Sequence, residues 1–134
     1  MTQALQNTEW VAKRDAWRSA LLELVEQIET WCRSRNWLVD RHESEVVESQ
    51  VGSYLVPVLH IHPGTAQGAL VVEPIGADIV GAQGRVDIYS IRTFARLLLI
   101  REAGQWVLFT DARVRWPQAW SEETFVSLVK TLTI

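Results

Sequence analysis

Internal disulfides are excluded from the outset, because the chain carries a single cysteine, Cys32. It lies inside a helical apolar pattern, where a buried and inert thiol is the ordinary state, and the chain reads as a protein of a reducing compartment. Glycine and proline are also scarce, at seven and four residues, which excludes collagen-like and low-complexity architectures and leaves few places for linkers. No apolar run approaches the roughly 18 residues that a bilayer-spanning helix needs. Met1 to Thr8 shows no basic segment followed by an apolar one, so the expected location is cytoplasmic, with no membrane partner. Positive charge is in deficit: 13 Lys and Arg against 16 Asp and Glu give a net charge of -3. Such a field repels a polyphosphate backbone, and nucleic acid is not an expected partner.

What the 134 residues do contain is apolar surface, 48% of the composition, with 22% charged residues. That is enough for one domain with its own core, and 1–134 is read as a single α+β domain. Between Trp10 and Cys32 the residues Trp10, Trp17, Leu21, Leu24, Ile28 and Trp31 recur at helical spacing, with Val11, Val25 and Cys32 widening the stripe. Asn7 or Thr8 is the expected cap. Three indoles on one stripe suggest a broad, flat partner surface such as a sheet.

Beyond Asn36 the period changes to two. Trp37 to Arg41 and Glu45 to Gln50 read as two short strands or as one strand interrupted by acids. Ser53 to His62 alternates clearly, and Pro57 within it predicts an edge strand or a bulge. Ala69 to Ile75, Arg85 to Ile91, Ala95 to Arg101 and Gln105 to Asp111 supply further strands, the last two joined by Glu102-Ala103-Gly104. Thr93 to Glu102 has a short helix as its alternative. The closing helix starts at Ser121, with Glu122 and Glu123 in its first turn and a Trp120 to Phe125 staple. The expected fold is therefore a long amphipathic helix, an antiparallel meander of about five or six strands and a C-terminal helix, with both helices on one sheet face.

Candidate chemistry is sparse. His60 and His62 share a strand face and have metal-ligand spacing; with Glu73, and with His42 or Asp87 as further ligands, they form the candidate zinc set of a metal-dependent hydrolase. The tetrapeptide His60-Ile61-His62-Pro63 resembles the His-x-His-Pro segment of the JAMM/MPN zinc metalloproteases. Glu73 stands where that family has a ligand Asp, Leu70 where it has a serine, and the Glu73 segment reads as a strand where the family has a helix. The PD-(D/E)xK nuclease pattern fails, because Asp87-Ile88-Tyr89 lacks the Glu-x-Lys and the only lysines, Lys13 and Lys130, belong to helices. No Gly-x-Ser-x-Gly elbow or phosphate-cradling glycine loop is present.

Between Arg85 and Arg115 six arginines face three acids. Arg113, Arg115 and Trp116 form a candidate anion-binding set if Ala112 to Trp116 is extended. Seven tryptophans are many for this length, and Trp37, Trp106, Trp116 or Trp120 would mark a partner surface wherever it stayed exposed. No catalytic residue is assigned. The expectation is a non-catalytic protein-interaction or adaptor module that binds another chain or its own copy as a homodimer through a sheet face or an edge strand. The layout from Gln105 to Leu132 is similar to that of type III secretion chaperone-like proteins, which implies binding of unfolded segments by a dimer. A metal-dependent hydrolase and a small anionic-ligand binder are the alternatives.

Overall fold

The computed structural model describes residues 2–64, 69–77, 81–92, 95–109 and 117–133. It opens with helix α1 (Thr2–Ser34) and continues through seven strands, β1 (Leu38–Glu48), β2 (Gly52–His62), β3 (Leu70–Gly76), β4 (Gly84–Ser90), β5 (Arg96–Glu102), β6 (Gln105–Phe109) and β7 (Gln118–Ala119). Helix α2 (Glu122–Leu132) closes the chain. Every strand pairs antiparallel with its neighbours in sequence, giving one open sheet of order β1-β2-β3-β4-β5-β6-β7. The α+β meander follows the sequence expectation, with more strands than the five or six expected. The extra one is the two-residue β7, too short to leave a periodic signal.

Helix α1 begins earlier than the first tryptophan suggests. Asn7 and Thr8 lie within it rather than capping it, since Ala4, Leu5 and the glutamines around them favour continued helix. Its end is better determined. Asn36 takes a left-handed φ of 59°, the Trp37 amide donates to the Cys32 carbonyl at 3.0 Å and the Asn36 amide to Arg33 at 3.1 Å. This pair of bonds is the Schellman motif, with Asn in the place glycine usually takes. The chain then turns directly into β1.

One core joins both helices to one face of the sheet. Trp17, Leu21, Leu24, Val25, Ile28 and Cys32 of α1 meet Leu59, Ile61, Leu70, Val72, Val86, Ile88, Leu97, Leu99 and Leu108, and Phe125, Leu128, Val129 and Leu132 of α2 complete it. Trp10 and Trp31 are half-buried and Val11 is exposed, so the stripe is narrower than its apolar letters suggest. Ser121 caps α2 by accepting from the Thr124 amide at 3.1 Å. Trp120 stands 5.9 Å from the Phe125 ring, and Trp31 lies 5.5 Å from the same ring. The staple thereby locks α2 against the end of α1.

The β1–β2 hairpin departs most from a flat sheet. Its register is unbroken from Leu38↔His62 to Glu48↔Gly52, so the acids of β1 interrupt nothing. β2 pairs with β3 only at Leu59 to Ile61. Pro57 therefore lies in an interior strand, yet at a place where only β1 is its neighbour, and its missing N–H leaves the β3 ladder intact. Freed from β3, the far half of the hairpin twists as two-stranded ribbons do. Tyr54 and Val56, of opposite parity to Leu59 and Ile61, join the same core.

The β5–β6 turn is set by backbone sign. Ala103 and Gly104 have φ of 48° and 76°, between the paired residues Glu102 and Gln105. A two-residue hairpin with both central φ positive is the type I′ loop, a conformation that L-alanine tolerates poorly.

Candidate functional site

The three histidines all lie on the β1–β2 hairpin and, by register, on one side of it. His42 and His60 are diagonal neighbours whose rings stand 5.0 Å apart. The His62 Nε2 approaches Asp40 Oδ2 at 3.6 Å, both groups being largely exposed. Glu73 is engaged elsewhere, accepting from the Tyr89 hydroxyl at 3.1 Å. The proposed ligands His60, His62 and Glu73 thus each have a different neighbour. Among the described residues no three His, Cys, Asp or Glu side chains gather as a metal would require. The strand-end histidines share a face by the alternation that the sequence showed. Convergence with an acid from β3 or β4 was beyond it, because that depends on inter-strand register.

Asp87, the other acid considered for that set, has a different role. It is only 1% exposed although it lies on the sheet face away from the helices. Arg85 Nε donates to Oδ1 at 2.7 Å and Arg96 donates to Oδ2 at 2.5 Å, one guanidinium from its own strand and one from β5. Arg96 also lies 4.3 Å over the Tyr89 ring. The bond to Asp87 holds the Arg85 proton more firmly than usual. Burial, and then the Glu73 carboxylate, raise the Tyr89 hydroxyl above the ordinary phenol range. Arg85, Asp87, Tyr89, Glu73 and Arg96 form one charge-compensated lid over the middle of the sheet. The period-two spacing of Arg85, Asp87 and Tyr89 signalled the shared face, and the β5 partner came only with the register. The network binds itself, so its acid is not a free general base.

Cys32 is fully buried, and desolvation first, with Glu29 adding to it, pushes its thiol up to about 11. A thiolate nucleophile is therefore absent near neutrality. Arg113, Arg115 and Trp116 lie outside the described residues. Trp37, Trp106 and Trp120 are half-buried, with rings packed at a tilt or edge-on against Phe125 or Trp17. These three consolidate packing between elements and do not form a bare aromatic patch.

The exposed apolar residues follow another pattern. Leu38, Val47 and Leu55 are 72%, 73% and 50% exposed on the β1–β2 hairpin, while Leu22 and Val11 on α1 and Ile91 after β4 are exposed elsewhere. Leu22 and Leu55 line one groove of about 370 Å³ with Pro57, Asp15, Arg18 and Glu43. Val47 is a diagonal neighbour of Leu55 on the same hairpin side. Periodicity could not separate these residues from core ones, because burial on a hairpin that leaves its sheet is decided by twist.

β1 is also the long free margin of the sheet. Eleven residues lie at one edge of the strand order, against two residues of β7 at the other. Along β1 the side bearing Val39, Arg41, Glu43, Glu45 and Val47 alternates with the side bearing Asp40, His42, Ser44 and Val46. Arg41 is tied to Glu29 of α1, which anchors this margin to the body of the domain.

Among the described residues no helix is long and apolar enough to cross a membrane. No protein-family model, no curated protein and no solved structure matches the chain.

Proposed function

We propose that the protein is a non-catalytic interaction module that works as a homodimer through the outer edge of β1. The observation that carries this reading is the coincidence of the sheet's long free edge with the hairpin's exposed Leu38, Val47 and Leu55. An unpaired strand edge is a template for another strand, and natural proteins leave one open chiefly where a partner closes it. The charges on β1 favour its own copy. With two β1 strands antiparallel about a two-fold axis at Glu43, Arg41 of each faces Glu45 of the other, and Val39 faces Val47. Two opposite-charge pairs and two apolar pairs then outweigh the one like-charge contact at Glu43, since each such pair contributes about 0.2–1 kcal/mol.

The test is a charge exchange followed by sedimentation equilibrium. The wild type is expected to dimerise, Glu45→Arg to shift it towards monomer by at least about tenfold in Kd, and the double variant Arg41→Glu, Glu45→Arg to recover the dimer. A wild type that stays monomeric at ~100 μM, in a range where transient self-association is measurable, would overturn the proposal.

A further inference from the structure

We infer that the cavity between α1 and the β4–β5 end of the sheet binds a small aromatic carboxylate, with Arg101 and Lys13 as its counter-charges. The cavity holds about 390 Å³ and is bounded by Lys13, Ala16, Trp17, Ala20, Ala82, Gln83 and Arg101. That volume is in the range of small-molecule sites, and the lining has their usual make-up, an apolar floor with a few polar groups. Three alanines provide the depth. Trp17 is held rigidly, 2% exposed, with its ring against Gly84 so closely that no side chain fits between them.

The charges of this cavity set it apart. The three other cavities described each include an acid: Asp15 and Glu43, then Glu23, then Glu122 and Glu123. Among the described residues this one is lined by two cations and no acid, in a chain whose net charge is -3. Arg14, Arg35, Arg41, Arg85 and Arg96 each have a carboxylate partner. Arg101 instead lies 5.2 Å over the Trp106 ring, and Lys13 lies 4.9 Å over Trp10, and neither forms an ion pair among the described residues. Stacking of that kind orients a guanidinium while leaving its hydrogen-bonding edge available for a bidentate carboxylate. Gln83 adds a donor. Its Oε1 is occupied by the Gly104 amide at 2.7 Å, so its Nε2 hydrogens are the part left to serve a ligand. A flat apolar ring on Trp17 and the alanines, with its carboxylate towards Arg101 and Lys13, satisfies both halves of the lining.

Benzoate is the probe, with neutral benzamide as the isosteric control, read from the indole N–H signals of Trp17 and Trp106 in a 15N–1H spectrum. Benzoate is expected to shift both signals saturably, benzamide to bind at least about tenfold more weakly, and added salt to weaken benzoate only. Arg101→Gln should reduce benzoate affinity at least about tenfold, and Lys13→Gln severalfold. Lys13 lies on the surface of α1, so its variant tests the site even if Arg101→Gln disturbs β5. Absence of a saturable shift, equal affinity for benzamide, or natively folded variants that bind benzoate like the wild type would each overturn the assignment.

Discussion

Gly84 gives the sharpest test of how α1 is seated. An added Cβ there would lie 2.2, 2.4 and 2.6 Å from three ring carbons of Trp17. Carbon atoms rest at about 3.5–4.0 Å, so helix and strand must part by more than an ångström or Trp17 must leave its rotamer. Neither is easy, because Trp17 is 2% exposed and its indole packs 5.7 Å from Trp106. Overpacking of this kind costs about 1–3 kcal/mol, and the tightness here places Gly84→Ala near the top of that range. The φ of 159° at Gly84, which L residues rarely adopt, adds backbone strain that offsets the about 0.4–1 kcal/mol returned by the lost freedom of the unfolded chain. The net expectation is about 3 kcal/mol of destabilisation, or a fall in Tm of about 10 °C for a chain of this size. Urea unfolding followed by circular dichroism measures it without relying on the indole being perturbed. Trp17→Leu alone should cost about 2–4 kcal/mol by leaving a cavity. In the double variant the new methyl enters the vacated space, so the combined loss should fall short of the sum by more than about 1 kcal/mol. Additivity within about 0.5 kcal/mol, or an unaltered Gly84→Ala protein, would show that Trp17 is not wedged on β4.

Ala103→Asn should stabilise the β5–β6 hairpin by about 0.5–1 kcal/mol, as a Tm rise of a few degrees, because Asn tolerates the positive φ that this turn imposes. Asn36→Val should cost about 1–2 kcal/mol at the end of α1 while Asn36→Gly costs nothing, a contrast readable by the same melts. Ser121→Ala removes the acceptor for the Thr124 amide and should lower stability by about 1 kcal/mol. The Cys32 thiol is raised from 9.0 to about 11 in the fold, so between those values the unfolded chain is ionised and the native one is not. Stability should therefore decline as pH rises through that window and be untouched by this group below it. In native protein at pH 8, Cys32 should resist a thiol reagent until denaturant is added.

The elements that could be read from the sequence are those whose signal is local. The α1 stripe and the Ser121 cap with its Trp120 staple each specify themselves within a few residues, and the structure carries both, whereas in β2 the core side changes parity between Val56 and Leu59. What escaped is set by register or twist. Two acids on consecutive strands of the sequence reading, Glu73 and Asp87, turn out to be direct cross-strand partners, yet each is committed to a different neighbour, Tyr89 for one and two arginines for the other. Pro57 signalled an edge and found one only locally, because β2 parts from β3 before reaching it. Arg101 read as one more strand arginine, and its lack of a carboxylate among the described residues became visible only when α1 was laid beside β5.

The neighbour-to-neighbour order of the strands has a consequence for biosynthesis. Each hairpin can close as soon as its second strand leaves the ribosome, since no strand must wait for a distant mate. The first helix has the opposite fate. It is made before everything it touches, and Trp106, Trp120 and Phe125, which cover its indoles, are among the last to be synthesised. Its oily stripe meets β1 and β2 early, yet the indole of Trp31 stands bare until Trp120 and the closing helix arrive.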